Sequence, residues 1–359
     1  MSWLPAVFVL GGLIFVHELG HFIAARLCGV EVEEFSLGFG PKLIGVRWRG
    51  TLYALRLIPV LGYVRMAGMY PAENDGSDEA TRSQTANARG TGFASRPLWQ
   101  RVTVIAAGPM TNFLVAFLLY ASAFGLVGLP VAPTLQIRAV EAGMPAAAAG
   151  IRPGDTVVAV DGEPIHSWTS LHTAIVQAVK TNPGQPLHLE VRRGTQVRTL
   201  RVHPRATASG PLIGVLPVLK IVRLSPLRAV SGGALQTGAT VAQSLTALGS
   251  LIGSAVQHRP TQAQLVGPIG IGNAIDQASQ VGAVAVMLLA ALLSANLGLL
   301  NLLPIPALDG GRLTFLGIEW ARGGRPVDPA KEGLVHFIGL ALLMAMIVLV
   351  SVHDLGQLG

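Results

Sequence analysis

The sequence predicts a multi-pass α-helical membrane protein with four transmembrane helices, a membrane-associated β-hairpin and one extracytoplasmic α+β domain. Three observations carry this. Of 359 residues, 51% are hydrophobic and only 13% charged, a balance foreign to ordinary soluble domains. Four apolar runs, at residues 4–27, 102–127, 281–303 and 334–352, each approach the ~20 residues that a helix needs to cross a bilayer. Between the second and third runs the pattern shifts to short alternating stretches, the signature of strands.

The first run (1–28) reads as an uncleaved anchor. No Lys or Arg precedes it, ionisable residues sit near its end, and no Ala-x-Ala cleavage site follows. Ten Lys or Arg lie from Arg26 to Arg101, and four more, Arg312, Arg322, Arg325 and Lys331, lie between the third and fourth runs. This asymmetry places both loops in the cytoplasm and both termini outside the inner membrane. The twelve basic residues between the second and third runs belong to a long translocated domain, which escapes that rule. The net charge of +7 is therefore distributed by topology and does not point to nucleic acid. Cys28 is the one cysteine, so no intrachain disulfide forms.

Residues 29–70 are rich in Gly, β-branched and aromatic residues, with two short extended runs meeting near Arg49-Gly50. They read as a membrane-associated β-hairpin or small sheet. Residues 71–100 open with the unpatterned polar stretch "PAENDGSDEATRSQTANARGTG" and read as a cytoplasmic loop; the second span covers 101–128. Residues 133–206 combine four alternating stretches with one helical one, "SWTSLHTAIVQAV". Within them, "AAAAGIRPGDTVVAVDGEPIHSW" resembles the PDZ family, which implies a sheet edge that accepts extended peptides. A PDZ-like spacer that binds nothing is the other reading. Residues 211–280 are small and apolar but interrupted by Gly, Ser and Thr, and read as helices lying on the membrane surface. The third span (281–303), a segment with a cytoplasmic loop (304–333) and the fourth span (334–352) follow.

The chemistry begins in "FVHELGHFIAARL". Residues four apart share a helix face, so His17 and His21 can hold one metal ion, and Glu18 lies close enough to take a proton from a metal-bound water. This His-Glu-x-x-His arrangement is that of zinc peptidases. Three ionisable residues in a span cost roughly 2.5 to 3.5 kcal/mol each at its centre. The bland alternative is a polar cap at the cytoplasmic end of the span. Counted from Leu4, His17 lies about 20 Å along the helix, below the midplane on the cytoplasmic side.

Catalytic zinc usually has three protein ligands. His166, His172, His188 and His203 fall in the outward domain, His258 and His353 near the outer face, and His336 at the start of the fourth span. For all seven the expectation is surface or packing. Asp309, in "NLGLLNLLPIPALDGGRL", is the better third ligand: Pro304 and Pro306 break the helix before it and Gly310-Gly311 free the backbone after it. Irregular backbone at membrane depth is tolerated only inside protein or beside water. Its alternative role is N-cap of a helix over 310–320.

Taken in order, "VHELGH", "GYVRM", "AAGPMTNF", the PDZ-like insert and "NLLPIPALDGGR" resemble bacterial site-2 proteases, zinc intramembrane metalloproteases. The resemblance implies Zn2+ bound by His17, His21 and Asp309, with Glu18 as general base. It also implies Asn301 as a polar group near the substrate carbonyl, and the 35–69 hairpin as an edge that clamps an unwound substrate helix. Substrates would be single-span membrane proteins, such as anti-sigma factors or remnant signal peptides, with the PDZ-like domain binding or excluding their external parts. Two departures are a single PDZ-like domain, where some members have two, and Leu61, where members often carry a second Gly. Two other readings are a transporter or metal-handling protein, in which Glu18 lacks a role, and a catalytically silent scaffold presenting the PDZ-like domain.

Overall fold

The computed structural model describes residues 4–69, 85–86, 88–182, 184–207, 210–257 and 267–358. In chain order it contains α1 (Leu4–Leu27), β1 (Val32–Trp48), β2 (Thr51–Met66) and α2 (Leu98–Ser122), which continues as a π-helical turn over Ala123–Val127. Next come β3 (Leu129–Val140), β4 (Thr156–Val160), β5 (Glu163–Pro164), α3 (Trp168–Thr181), β6 (Leu187–Arg193), β7 (Gln196–Val202), β8 (Arg205–Thr207), β9 (Gly210–Leu212) and β10 (Val215–Val222). The chain closes with α4 (Pro226–Val256), α5 (Pro268–Val281), α6 (Ala283–Leu302), α7 (Asp309–Ala321) and α8 (Pro329–Leu358). It divides into two units, one of Met1–Val127 with Ser225–Gly359, the other of Gly128–Leu224. Residues 71–84 of the expected cytoplasmic loop lie outside the described residues, as does His258.

Among the described residues of the first unit, four helices are long and apolar enough to cross a membrane: Leu4–Leu27, Leu98–Val127, Ala283–Leu302 and Ala330–Val352. The last exposes its apolar side chains, Phe337 and Leu349 among them, a surface that lipid tolerates and water does not. Helix α1 ends at a glycine in the left-handed region, Gly29 (φ 70°), with the Val30 N–H closing back on the Ala25 carbonyl at 2.8 Å. The central helix is α2, against which α1, α4, α6 and α7 all pack. Small residues permit the approach: a Cβ on Gly20 of α1 would lie 2.4 Å from Thr111 Oγ1 and 2.6 Å from the Ala107 carbonyl oxygen. Across α2 and α7, Arg101 and the buried Glu319 form a bidentate ion pair, one arm of which, Nη1 to Oε2, measures 2.9 Å.

Two sequence expectations need correction in this unit. The hairpin is not two short strands. Strands β1 and β2 are long, and β1 bends so that Glu34–Leu37 face Tyr63–Arg65 and Gly62 on one side and Leu52–Leu55 on the other. Gly38 (φ 96°) sits at the bend, a conformation that favours glycine. The second correction concerns 211–280, expected to be helical throughout. Residues 210–222 are strands β9 and β10 of the other unit, because alternation in "VLPVLKIV" supplies a partner for β3. Beyond it, Pro226–Val256 and Pro268–Val281 are helical, and α4 runs along α2, with Gly233 against Ala121 and Thr240 Oγ1 3.1 Å from the Tyr120 hydroxyl.

The second unit is an α+β fold larger than the expected 133–206, since it also takes in the start of β3 and all of β10. Its main sheet has the order β10-β3-β4-β6-β7, with β5 paired to β4. The expected Asp-Gly hairpin is a two-residue turn between Val160 and Glu163, with Asp161 and Gly162 both at positive φ (48° and 84°), the geometry that matches strand twist. Helix α3 opens on a capping box between Ser167 and Ser170, and buries Leu171 and Ile175 in a core with Val157, Leu189 and Val191.

Asp155, buried under the Gly150–Gly154 turn, accepts from Arg193 Nε and Nη2, both at 2.7 Å, and from the Arg152 N–H at 2.8 Å. The Arg193 guanidinium holds its carboxyl below the usual carboxylate range. A carboxylate with a depressed folded-state pKa contributes stability that is complete above its unfolded value, about 3.9, and is lost as pH falls through the lower folded value. The protection factors of the β4 and β6 amides against hydrogen exchange in the full-length protein, corrected for the intrinsic rate at each pH, should therefore fall as pH drops below about 4. In Asp155→Asn the amides should start less protected and show a shallower acid dependence; an unchanged acid limb would remove Asp155 as its source.

Candidate metal centre

Three donor atoms meet between α1 and α7. His17 Nε2 lies 3.1 Å from Asp309 Oδ2, His21 Nε2 lies 3.2 Å from the same oxygen, and the two Nε2 atoms are 3.2 Å apart. Both imidazoles are buried. Zinc holds nitrogen and oxygen ligands at 2.0 to 2.2 Å, so neighbouring ligands of a tetrahedral ion stand about 3.3 Å apart. The triangle therefore has the dimensions of one face of such a tetrahedron. Two imidazole lone pairs and a carboxylate converging at this distance repel one another unless a cation or proton sits among them. The donor set fits a zinc ion, and among the described residues it is the one His/Cys/Asp/Glu cluster of this kind.

Each donor is placed by its own element. The i, i+4 spacing on α1 sets the two imidazoles edge to face, 4.9 Å between ring centroids. His21 donates from Nδ1 to the Val104 carbonyl at 2.9 Å, which leaves the Nε2 lone pair aimed at the centre. Gly108 of α2 makes room for the ring, since a Cβ there would lie 2.3 Å from His21 Nε2. His17 Nδ1 lies 3.0 Å from the side-chain amide of Asn112, which is fully buried. The Ser294 hydroxyl of α6 in turn donates to the Asn112 main-chain carbonyl at 2.8 Å.

Asp309 is the first residue of α7, and Leu308, not Asp309, is the N-cap; no side chain caps this helix. The N-cap alternative is thereby overturned: the carboxylate faces the imidazoles. Gly310 and Gly311 let the helix start against the preceding loop, as a Cβ on either would lie 2.0 Å from the Leu303 or 2.5 Å from the Ile305 carbonyl oxygen. In that loop Ala307 adopts φ 75°, a left-handed conformation that costs a non-glycine residue on the order of 1 to 3 kcal/mol.

Glu18 lines the same cavity of about 230 Å³, together with His17, His21, Tyr63, Met66, Asn301, Asp309 and Arg312. Its side chain passes over Gly62 of β2, where a Cβ would sit 3.0 Å from Glu18 Cγ. Asn301, in the last turn of α6, reaches the cavity while its amide nitrogen donates to the Leu297 carbonyl at 3.0 Å. Behind Tyr63, the buried Glu34 accepts from the Tyr63 hydroxyl (2.8 Å), Arg56 (2.6 Å) and Arg65 (2.8 Å). Burial pushes its carboxyl up, but these hydrogen bonds hold it below the ordinary range.

The sequence signature matches that of Peptidase family M50 over residues 5–346. The chain belongs to peptidase family M50. This M50 chain, of site-2 protease type, is a zinc metalloprotease and an integral membrane protein. It is 33% identical over 420 residues to Zinc metalloprotease RasP of Geobacillus kaustophilus, covering 99% of this chain and 97% of that one. It is 32% identical over 421 residues to the Regulator of sigma-W protease RasP of Bacillus subtilis, covering 98% and 97%. Putative zinc metalloprotease Atu1380 of Agrobacterium fabrum is 33% identical over 369 residues, at 99% and 95% coverage. Among solved structures, the HtrA3 PDZ domain bound to a phage-derived ligand aligns with 21% of this chain and 66% of its own, at 32% identity and a TM-score of 0.18. The PDZ domain of the SdrC-like protein Lin2157 from Listeria innocua aligns with 24% and 96%, at 22% identity and a TM-score of 0.21. Membership of a peptidase family sets aside the transporter reading for this M50 chain.

Sequence reasoning missed Asn112, Val104 and the Glu34 network. Asn112 lay within "AAGPMTNF", and its signal was an amide on a helix that otherwise reads as apolar. Val104 acts through its carbonyl, which no side-chain pattern reveals.

Proposed function

We propose that the protein is an intramembrane-cleaving endopeptidase that hydrolyses a peptide bond within or beside a transmembrane helix of a single-span partner. The observation that carries this reading is the 3.1–3.2 Å triangle of His17, His21 and Asp309, thirteen residues or about 20 Å into an apolar helix. These three residues would hold the zinc, which when bound acidifies a water and polarises a carbonyl. Glu18 takes the proton of the attacking water on its carboxylate and returns it to the leaving amine. Asn301 turns its amide from the Leu297 carbonyl to the substrate carbonyl as charge develops there.

Asn112 sets the tautomer of His17. A histidine that ligates through Nε2 carries its proton on Nδ1, so the amide oxygen, not the nitrogen, must face it. A half-turn of the Asn112 amide does this. It also gives a partner to Asn112 Oδ1, which is buried and otherwise unpaired.

A helical peptide bond is shielded by its own hydrogen bonds, and an unwound segment needs replacements. Gly62–Met66 pair with the first half of β1 and line the cavity through Tyr63, Val64 and Met66. Their outer edge, which has no strand against it among the described residues, accepts the substrate as an added strand. By the distribution of Lys and Arg, both termini and the second unit face outward, and the site lies towards the cytoplasmic side of the inner membrane. The second unit screens the external part of substrates. Since a relative is named a regulator of sigma-W protease, anti-sigma factors are the substrate class favoured over remnant signal peptides.

The test uses the full-length protein in detergent with a single-span substrate. Mass spectrometry should place the cut within or beside the span; a chelator should abolish cleavage and added zinc restore it. Cleavage that survives metal removal, or confined to a soluble tail, sinks the proposal.

A further inference from the structure

The seven histidines outside the centre include one that sequence reasoning placed on the surface or in packing and that does something more specific. His336, two turns into α8, accepts at Nδ1 a hydrogen bond of 2.9 Å from the Ala307 N–H. Ala307 is the residue at φ 75° in the loop that delivers Asp309, two positions on. In that loop Pro304 and Pro306 have no N–H, and the Ile305 and Leu308 N–H groups bond within the loop, to Leu303 and Ile305. The Ala307 N–H is thus the donor by which the loop is tied to another helix. A left-handed alanine persists only where its surroundings over-determine it.

The rest of α8 supports the same contact. One turn on, Gly339 lies against Pro306: a Cβ there would be 2.4 Å from Pro306 Cβ and 2.9 Å from its carbonyl oxygen. The His336 ring packs on Phe315 of α7 with centroids 5.6 Å apart. One imidazole therefore touches both the loop and the helix between which Asp309 sits.

We propose that His336 is a positioning residue for Asp309, holding Ala307 left-handed so that the carboxylate enters the site at the height of His17 and His21. The inference rests on the reading of Asp309 as a zinc ligand. It assigns the fourth apolar helix a part in building the metal centre, although that helix contributes no donor to it.

The experiment measures zinc loss to a chelator from the full-length protein in detergent, with kcat/KM beside it. His336→Leu removes the acceptor, His336→Phe removes it but keeps the ring on Phe315, and His336→Asn offers Oδ1 where Nδ1 was. The first two should release zinc about ten- to a hundredfold faster, the usual effect of losing a group that orients a ligand, and H336N should stay close to the natural protein. Adding Ala307→Gly should return most of the loss in H336L, because glycine takes φ 75° unaided, a rescue that a general packing role does not allow. Should H336L fail to accumulate, H336F carries the same comparison. Zinc retention at the natural level in the acceptor-less variants, an H336N as leaky as them, or no recovery with A307G overturns the inference. Asp309→Ala runs alongside: if it keeps its zinc, the ligand reading fails, whereas a leaky D309A beside a tight H336L sinks only the role of His336.

Discussion

Glu18→Gln should abolish cleavage of a co-expressed single-span substrate while zinc stays bound at the natural stoichiometry. The substitution keeps the side chain's shape over Gly62 and removes the one property the chemistry needs, a carboxylate that takes up a proton and gives it back. General acid–base groups contribute about 10² to 10⁴-fold, and the loss should fall on kcat, with substrate still captured on the edge of β2. The uncleaved partner should then accumulate in the membrane and co-purify with the variant, which also makes E18Q the natural trap for finding substrates. Cleavage at the natural rate would remove Glu18 from the mechanism. Cleavage and zinc lost together would move it from proton transfer into the ligand set.

Asp309→Ala should show the complementary pattern, zinc and activity lost together. Its Oδ2 closes the triangle with two imidazoles that stand 3.2 Å apart, and without it the ion keeps two nitrogens on one helix face. The loss of affinity should exceed the ten- to hundredfold that removing an outer hydrogen-bonding partner costs, and metal analysis of the purified variant should find little zinc. Asp309→Asn should behave similarly, since a neutral amide is a poor ligand where a charged oxygen is required. A D309A protein with full zinc content would show that the third ligand lies elsewhere.

The sequence disclosed the apolar helices because lipid imposes a composition that survives in any window of ~20 residues. It disclosed the His-Glu-x-x-His pair because both histidines lie on one turn of one helix, where spacing alone fixes their geometry. It disclosed Asp309 less directly, through prolines and glycines that mark a broken backbone where breaks are costly. The doubled-back β1 was not legible, since a bend at Gly38 and a second row of partners depend on contacts between distant segments. Nor were strands β9 and β10: short apolar stretches fit a strand or a surface helix equally well until a partner strand is in place.

The chain by itself thus pointed to four apolar helices, to the histidine pair proposed to bind zinc and to the glutamate proposed to carry the proton, because these are local properties of composition and helical period. Only the tertiary structure decided that Asp309 faces His17 and His21 instead of capping its own helix. It also decided that Asn112 and the Val104 carbonyl orient the imidazoles, and that His336 reaches back across 29 residues to Ala307. Those assignments depend on which side chains share a depth in the helix packing. Depth is set by close approach at Gly20, Gly108, Gly310 and Gly339, contacts made between elements far apart in the chain.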